Sequence, residues 1–280
     1  MTASPTHAGD VTPPSVPGVR EAMLRARDEG RCALVPYLTM GYPDLQSSVA
    51  LVVAMQDLGV DAIEIGVPFS DPVADGPTIQ RTTDHALARG VNLRRCLEAL
   101  RDAPPHDRCA RVLFSYLNPL LAYGLRPLTV ALPDAGVGAV LVTDLVPEEA
   151  GEWVGAAAEG GIETCFLVAP TSSEARLRLV AESTTGFVYT VSTLGVTGVR
   201  SALDSAARET VERVRAVTDA PVAVGFGIRG PEDVRAVRTF SDGVVIGSAL
   251  MNAIADATTP EAVVDRARAF LEPVLEAAHR

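Results

Sequence analysis

Lysine is missing from this chain of 280 residues, so all 24 of its permanently basic side chains are arginines. The absence excludes a mechanism in which the chain supplies a lysine amine to form a Schiff base. It also excludes a pyridoxal cofactor anchored through such an amine. Both chemistries are therefore unavailable to this chain on its own.

Clustered positive charge and long apolar segments are absent as well. The formal net charge is −11, and the arginines are scattered along predicted helices, which argues against a groove for nucleic acid. No run reaches the roughly eighteen apolar residues of a membrane span, and the N-terminus lacks the regions of a secretory signal. The four cysteines and four histidines show no spacing of metal ligands. We therefore expect no metal, free thiols and a reducing compartment, the cytoplasm.

The chain instead shows a regular alternation of short apolar runs with longer helical patterns. The runs predict eight strands: Ala33–Leu38, Ala62–Gly66, Arg111–Ser115, Gly138–Thr143, Glu163–Val168, Phe187–Val191, Pro221–Gly225 and Gly243–Ile246. From the third strand onward, their starts lie 22 to 34 residues apart, the length of one βα unit. Eight such units in a chain of this length predict a single α/β domain, a (β/α)₈ TIM barrel.

The remaining segments are placed around this barrel. Residues 19–29 predict an extra N-terminal helix that covers the barrel floor, and residues 260–279 predict a last helix. Residues 1–18, rich in Pro, Thr and Ser, predict a flexible tail, which leaves residues 19–280 as the barrel domain. The alternative, an open doubly wound sheet, needs a GxGxxG turn after the first strand, where this chain has TMGYPD.

Glu64 is the first candidate for chemistry. Alternation along its strand puts Ile63 and Ile65 on the face under the helices and points Glu64 into the barrel mouth, where active sites of such barrels lie. Partial desolvation there raises the pKa of a carboxyl group and suits it to acid–base catalysis. A structural ion pair is the alternative. Asp71 and Asp75 follow in the next loop, and their composition alone favours turn formers or helix caps.

Three glycine clusters follow the late strands: GVTG (195–198), GFG (225–227) and IGSA (246–249). Glycine lets the backbone approach an anion closely, and Ser248 opens a helix whose free N–H groups point at the same spot. Loops after strands seven and eight with a helix N-terminus form the recurrent phosphate site of barrels. The residues therefore predict a barrel that binds a small phosphate ester and uses a carboxyl group for acid–base chemistry.

The segment EIGVPFSDPVADGPTIQ (64–80) closely resembles the tryptophan synthase α-subunit family. The resemblance runs in order from about residue 19 to residue 268. It includes the further pieces VPYLTMGYPD (35–44), SYLNP (115–119), VYTVSTLGVTG (188–198), GFGI (225–228) and VIGSAL (245–250). It implies a lyase that cleaves indole-3-glycerol phosphate to indole and glyceraldehyde 3-phosphate.

The resemblance also implies roles for individual residues. Glu64 would protonate the indole C3 position as the C–C bond breaks, Asp75 would hold the indole N–H, and Tyr189 would be the active-site tyrosine. The remaining implied residues are Gly198, Gly227, Gly247 and Ser248 for the phosphate, Tyr37, Phe114 and Phe226 for the indole pocket, and Thr197 for the loop that closes over it. The cleavage is a retro-aldol reaction that needs no metal and no cofactor. The neighbouring barrel enzyme that makes this substrate is disfavoured, because its family mechanism relies on lysine.

The family implies a partner, a β subunit that joins indole to serine in an α₂β₂ heterotetramer. The expected contact surface lies near Asp71, Pro72 and the turn 144–147. This chain departs from the family in that turn, because its proline, Pro147, comes one position later than usual and Val146 takes the usual place. Two alternatives therefore stay open. One is a stand-alone lyase that feeds a specialised pathway without a β subunit. The other is a catalytically inactive barrel that serves as an allosteric binding module, which the presence of Glu64 and Asp75 argues against.

Overall fold

Eight parallel strands close into a barrel in the order β1 to β8, and β8 pairs with β1. The computed structural model describes residues 16–191, 200–225 and 227–279, and only the backbone of residues 200–204. Within these residues the strands are β1 (Ala33–Thr39), β2 (Ala62–Gly66), β3 (Ala110–Ser115), β4 (Ala139–Val142), β5 (Glu163–Val168), β6 (Val188–Val191), β7 (Val222–Gly225) and β8 (Gly243–Ile246). The predicted TIM barrel is confirmed, with each strand end within one residue of its prediction, and the open sheet is excluded.

Helices surround the barrel. In the described part of the chain they are α1 (Val19–Asp28), α2 (Leu45–Leu58), α3 (Pro77–Leu87), α4 (Leu93–Leu100), α5 (Leu117–Tyr123), α6 (Leu125–Asp134), α7 (Gly151–Gly160), α8 (Glu174–Ser183), α9 (Arg200–Arg215), α10 (Pro231–Val237), α11 (Ser248–Ala253) and α12 (Pro260–Ala278). The connections after β2, β3 and β8 each hold two helices rather than one. After β4, a 3₁₀ turn (Pro147–Glu149) comes before α7.

Two residues define the ends of α2, the helix that follows β1. Asp44 accepts a hydrogen bond from the backbone N–H of Ser47 at 2.7 Å and so satisfies a free donor at the start of α2. Gly59 ends this helix in the left-handed conformation, with φ of 89°, which glycine adopts without the steric cost of a Cβ atom. These two residues thus mark the beginning and the end of α2.

The extra N-terminal helix is also confirmed. Backbone N–H groups of Val19 and Arg20 at the start of α1 donate to the carboxylate of Glu163, which opens β5. A carboxylate at this end of a helix is stabilised by the unpaired N–H groups and by the helix dipole. Met23 of this helix is fully buried in the core. The helix is thereby attached to the N-terminal ends of the strands, opposite the expected active site.

Arg111 on β3 was not anticipated as a core residue. It is almost fully buried and donates to the carbonyl oxygens of Ala103, Pro104 and Ala135 at 2.7–3.0 Å, and to the side chain of Gln56 at 2.7 Å. These carbonyls follow the C-terminal ends of α4 and α6, where partial negative charge accumulates. The guanidinium group therefore joins two helices to the barrel through neutral oxygen acceptors.

The predicted tail, residues 1–18, lies outside the described residues except for its last three. None of the helices in the described ranges combines the length and the apolar character that a bilayer crossing requires.

Candidate active site

A cavity of about 420 Å³ opens at the C-terminal ends of the strands, the end where the sequence predicts the active site. Ends of β1, β2, β3 and β6, the loops after β2 and β7, and the start of α11 form its wall. Eight of the predicted site residues line it: Tyr37, Glu64, Asp75, Phe114, Tyr189, Gly227, Gly247 and Ser248. The other three, Thr197, Gly198 and Phe226, lie outside the described residues.

Glu64 sits in the cavity wall on β2, paired with Tyr37 of β1 and Val112 of β3. Its side chain is 1% exposed, and its Oε1 atom has no hydrogen-bond partner among the described residues. Burial raises the pKa of this carboxyl group from 4.5 to about 8, because a charged form would be poorly solvated there. Glu64 is therefore protonated at neutral pH and available as a proton donor. In the part of the chain that the structure describes, Glu64 forms no ion pair, which disfavours the structural alternative.

Asp75 approaches the same cavity from the loop after β2. Its backbone N–H donates to the carbonyl oxygen of Pro72 at 3.0 Å, which closes a turn in this loop, and Asp75 lines the cavity. Burial raises the pKa of the Asp75 carboxyl to about 6, while a hydrogen bond from the Tyr116 hydroxyl lowers it. That hydroxyl also accepts the backbone N–H of Ala74 at 3.0 Å. Asp75 is thus mainly ionised at neutral pH, whereas Glu64 is protonated.

The difference between the two carboxyl groups has a clear physical source. Glu64 is enclosed by strands, and its Oε1 atom has no hydrogen-bond donor among the described residues, whereas Asp75 is half-buried and accepts a hydrogen bond. Two carboxyl groups whose pKa values are separated in this way can act as an acid and as an anion in the same site. Sequence reasoning missed Tyr116, although it stands in the SYLNP segment directly after β3.

Tyr37 and Phe114 form an aromatic wall of the cavity. Their ring centroids are 5.3 Å apart and their planes meet at 80°, an edge-to-face contact. The Tyr37 hydroxyl occupies the space above Gly66, where a Cβ atom would lie only 2.1 Å from it. This hydroxyl lies 3.3 Å from that of Thr39, which lies 2.7 Å from that of Thr82. The two rings form an apolar wall against which a planar ring can pack.

The hydroxyl groups of Tyr37, Thr39 and Thr82 donate in one direction along this chain of hydrogen bonds. Thr82 donates its only hydroxyl hydrogen to the carbonyl oxygen of Ile79 at 2.8 Å. Thr39 must therefore donate to Thr82, and Tyr37 to Thr39. The oxygen lone pairs of Tyr37 remain as acceptors, and the chain ties the aromatic wall to α3, the helix that follows the Asp75 loop.

Tyr189 on β6 is 3% exposed and lines the cavity. Burial raises the pKa of its hydroxyl, and the nearby carboxyl groups of Glu64 and Asp75 raise it further. A Cβ atom on Gly225 would lie 2.0 Å from the Tyr189 hydroxyl. The first glycine of the GFG cluster thus makes room for a tyrosine. This differs from the sequence-based interpretation, which attributed the whole cluster to the approach of an anion.

The glycine-rich end of the cavity is formed by Gly227, Gly247 and Ser248. Gly227 has φ of 85°, which glycine tolerates and other residues rarely do. Ser248 is the first residue of the short helix α11, and the first N–H groups of a helix have no partner within it. Arg229 also lines this cavity and was missed from the sequence, although it lies two residues after the GFG cluster. Neutral donors and one guanidinium group suit an anionic substrate.

A search of the described residues finds no group of three or more His, Cys, Asp or Glu side chains that could hold a metal ion. All four cysteines are free and buried, and burial raises the pKa of Cys165, Cys96 and Cys109. Their thiols are therefore protonated at neutral pH and poorly suited to act as nucleophiles.

Comparison with known proteins agrees with this geometry. A family model described as "Tryptophan synthase alpha chain" matches residues 23–279. The tryptophan synthase alpha chain of Mycobacterium avium (strain 104) is 45% identical over 230 residues, 82% of this chain and 84% of that relative. The corresponding chain of Xanthomonas euvesicatoria pv. vesicatoria (strain 85-10) is 44% identical over 258 residues, 91% of this chain and 96% of the relative.

Solved structures give the same result. A chain of tryptophan synthase from M. tuberculosis, in an aminoacrylate- and BRD0059-bound form, superposes with a TM-score of 0.83 at 37% identity and covers 94% of this chain and 98% of its own. Tryptophan synthase subunit alpha from Legionella pneumophila str. Paris superposes with a TM-score of 0.84 at 29% identity, covering 93% and 97%. None of these findings supports a stand-alone lyase.

Proposed function

The chain belongs to the tryptophan synthase alpha chain family, and from this premise we propose how its cavity performs the reaction of that family. The enzyme is a carbon–carbon lyase that cleaves indole-3-glycerol phosphate to indole and glyceraldehyde 3-phosphate. The observation that carries the proposed mechanism is the buried, protonated Glu64 beside an ionised Asp75.

Cleavage begins with a proton from Glu64. The proton adds to the indole C3 atom, and the ring becomes an electron sink whose positive charge extends to the ring nitrogen. The C3–carbon bond then breaks, its electron pair restores the aromatic ring, and the adjacent hydroxyl carbon becomes the aldehyde. The Glu64 carboxylate takes the proton released by that hydroxyl and returns to its starting form.

Asp75 and Tyr189 assist this step. The Asp75 carboxylate accepts a hydrogen bond from the indole N–H and stabilises the positive charge that develops on the ring. Tyr189 lies beside Glu64 and keeps water away from the reacting carbon. Tyr37 and Phe114 form the apolar wall against which the indole ring packs, with Phe226 completing the pocket.

The phosphate occupies the glycine-rich end of the cavity. Backbone N–H groups of Gly227, Gly247 and Ser248 donate to it, and Gly198 completes the set. Thr197 belongs to the loop that closes over the substrate. The roles of Thr197, Gly198 and Phe226 remain predictions based on the family resemblance.

A β subunit is the proposed partner, in an α₂β₂ heterotetramer. The surface of this chain that would contact the β subunit includes two segments. One is the exposed loop that holds Asp71, where Val73 is 84% exposed, and the other is the turn after β4, where Val146 is 37% exposed. Val146 has φ of −86°, close to the value of about −65° that a proline ring imposes. The displaced proline of this turn is therefore compatible with the usual backbone path. A cytoplasmic location and a barrel domain of residues 19–280 remain predictions.

The test is a continuous assay of indole release from indole-3-glycerol phosphate, with and without a purified β subunit. We expect slow release by the isolated chain, strong stimulation by the β subunit, and no release by Glu64→Gln. The matched control is Glu272→Gln, which removes an exposed carboxyl group from α12. Turnover by Glu64→Gln at the wild-type rate would refute the mechanism, and turnover that ignores the β subunit would refute the partnership.

A further inference from the structure

Arg229 brings a positive charge to a cavity whose other described side chains are acidic or neutral. Among the described lining residues, Arg229 is the only one with a cationic side chain, and Glu64 and Asp75 are the acidic ones. The chain has no lysine anywhere and carries a net charge of −11. A substrate with a phosphate dianion therefore meets an unfavourable overall charge, and Arg229 is the group within reach that offsets it.

Arg229 is held by Asp233 in the present structure. The Asp233 carboxylate accepts the backbone N–H of Arg229 at 2.9 Å, its Nε at 3.1 Å and its Nη2 at 3.3 Å. The arginine side chain is 67% exposed. The Asp233 side chain is only 17% exposed, but the guanidinium group of Arg229 is open to water, which solvates it when it leaves the carboxylate and keeps the cost of leaving small.

The backbone contact makes such an exchange easier. When the guanidinium group turns away, the backbone N–H of Arg229 still donates to Asp233, so the carboxylate keeps a partner. A phosphate dianion carries more charge than a carboxylate and accepts paired N–H donors from arginine. Arg229 follows Gly227 by two residues and lies in the same cavity as Gly247 and Ser248, so it is at the glycine-rich end.

We propose that Arg229 binds the phosphate of the substrate, exchanging the carboxylate of Asp233 for the phosphate when the cavity fills. This inference rests on the proposed function, because it takes the phosphate to lie at the glycine-rich end. It assigns Asp233 a role as an internal competitor that holds the guanidinium group until substrate arrives. The pair thus favours substrates that carry a phosphate over the same carbon skeleton without one.

The proposed exchange predicts that two substitutions change the affinity for glycerol 3-phosphate in opposite directions. Binding of glycerol 3-phosphate, and separately of indole, is measured by calorimetry on the full chain. We expect Arg229→Gln to weaken glycerol 3-phosphate binding by about tenfold, the loss of a charge-assisted contact. Asp233→Asn should tighten it by about two- to fivefold, because the asparagine oxygen still accepts the Arg229 backbone N–H but no longer competes as an anion. Indole binding should stay unchanged in both.

The double variant and a matched control complete the design. In the Arg229→Gln background, Asp233→Asn should have no further effect, and Arg229→Lys should recover part of the affinity. Arg235→Gln removes an exposed positive charge from α10, the helix that contains Asp233, at a position that does not line the cavity. This variant should bind glycerol 3-phosphate like the wild type. Thermal unfolding of each variant verifies that it is folded.

Two results would overturn the assignment. One is unchanged glycerol 3-phosphate binding by Arg229→Gln. The other is equal weakening by Arg229→Gln and Asp233→Asn, which would mean that the pair only maintains the loop. A wild-type chain that neither cleaves indole-3-glycerol phosphate nor binds glycerol 3-phosphate would instead refute the proposed function, so the two failures are distinguishable.

Discussion

Replacing Glu64 by glutamine is expected to make the folded protein more stable at neutral pH while abolishing its lyase activity. Burial raises the pKa of this carboxyl group from 4.5 to about 8. Between these values the folded protein holds a proton that the unfolded chain has already released. The free energy of unfolding of the wild type therefore falls as pH rises through this interval, and the loss is complete above pH 8.

The structure sets the size of the effect. Each pH unit in this window changes the free energy of unfolding by about 1.4 kcal/mol, and Glu64 is fully enclosed, so exposure does not weaken the effect. At pH 7 the wild type has lost about 3 kcal/mol relative to pH 4.5. Glutamine is neutral and of similar shape, so it shows no such loss.

The assay is urea unfolding of both proteins, followed by circular dichroism from pH 4.5 to 8.5. The difference in unfolding free energy should grow steadily with pH and level off near pH 8. Any constant offset reflects the amide itself and carries no information on the proton. Glu272→Gln, at an exposed position, provides the control and should give a flat difference. A flat difference for Glu64→Gln as well would refute the claim that this carboxyl group is kept protonated by burial.

Three further predictions follow from the contacts around the cavity. Tyr116→Phe removes the hydrogen bond that lowers the pKa of Asp75, so the acidic limb of the kcat/KM profile, expected near pH 6, should move to higher pH; an unmoved limb would exclude Asp75 as the ionised group. Gly225→Ala puts a Cβ atom 2.0 Å from the Tyr189 hydroxyl and should lower kcat/KM at least about tenfold; near-normal turnover would contradict the close approach. Arg111→Met leaves several buried carbonyl oxygens without a donor and should lower the free energy of unfolding by about 3 kcal/mol, as measured with urea; a loss within error would show that the buried network contributes little.

Each of these substitutions has a matched control in the chain. Tyr123→Phe removes a tyrosine hydroxyl group at the end of α5, away from the bond between Tyr116 and Asp75, and should leave the pH profile in place. Gly155→Ala adds a Cβ atom to α7 where nothing lies within 4 Å, and it should retain full activity. Arg126→Met removes an exposed guanidinium group paired with an exposed carboxylate and should leave stability nearly unchanged.

The strands could be predicted because their signal is local. Each is a short apolar run bounded by turn residues, and β1 to β4 prove to be buried along their whole length. The doubled helices were harder to predict, because the short turn between two successive helices carries little local signal. Between α3 and α4 the break depends on Gly90, in the left-handed conformation, and on Asn92, which accepts the N–H of Arg95 at 3.1 Å. These cues are weak without the surrounding packing.

In the candidate site, too, some features could be predicted from the sequence and others could not. Alternation along a single strand was enough to place Glu64 in the barrel mouth, because neighbouring side chains of a strand point to opposite faces. The hydrogen bond from Tyr116 to Asp75 joins residues 41 positions apart in the chain, on different elements. Gly225 and Tyr189 also lie far apart in the chain. Their close contact shows that this glycine makes room for a tyrosine, whereas the sequence suggested the approach of an anion.

The sequence by itself determined the strand order, the end of the barrel that carries the chemistry, and the kind of chemistry that a chain without lysine can support. These follow from short-range alternation, from the chirality of βα units and from composition. Only the tertiary structure decided which carboxyl group is protonated, which glycine makes room for a side chain, and which arginine reaches the cavity. Desolvation, steric exclusion and ion pairing act between residues that folding brings together from distant parts of the chain, and no local pattern encodes those distances.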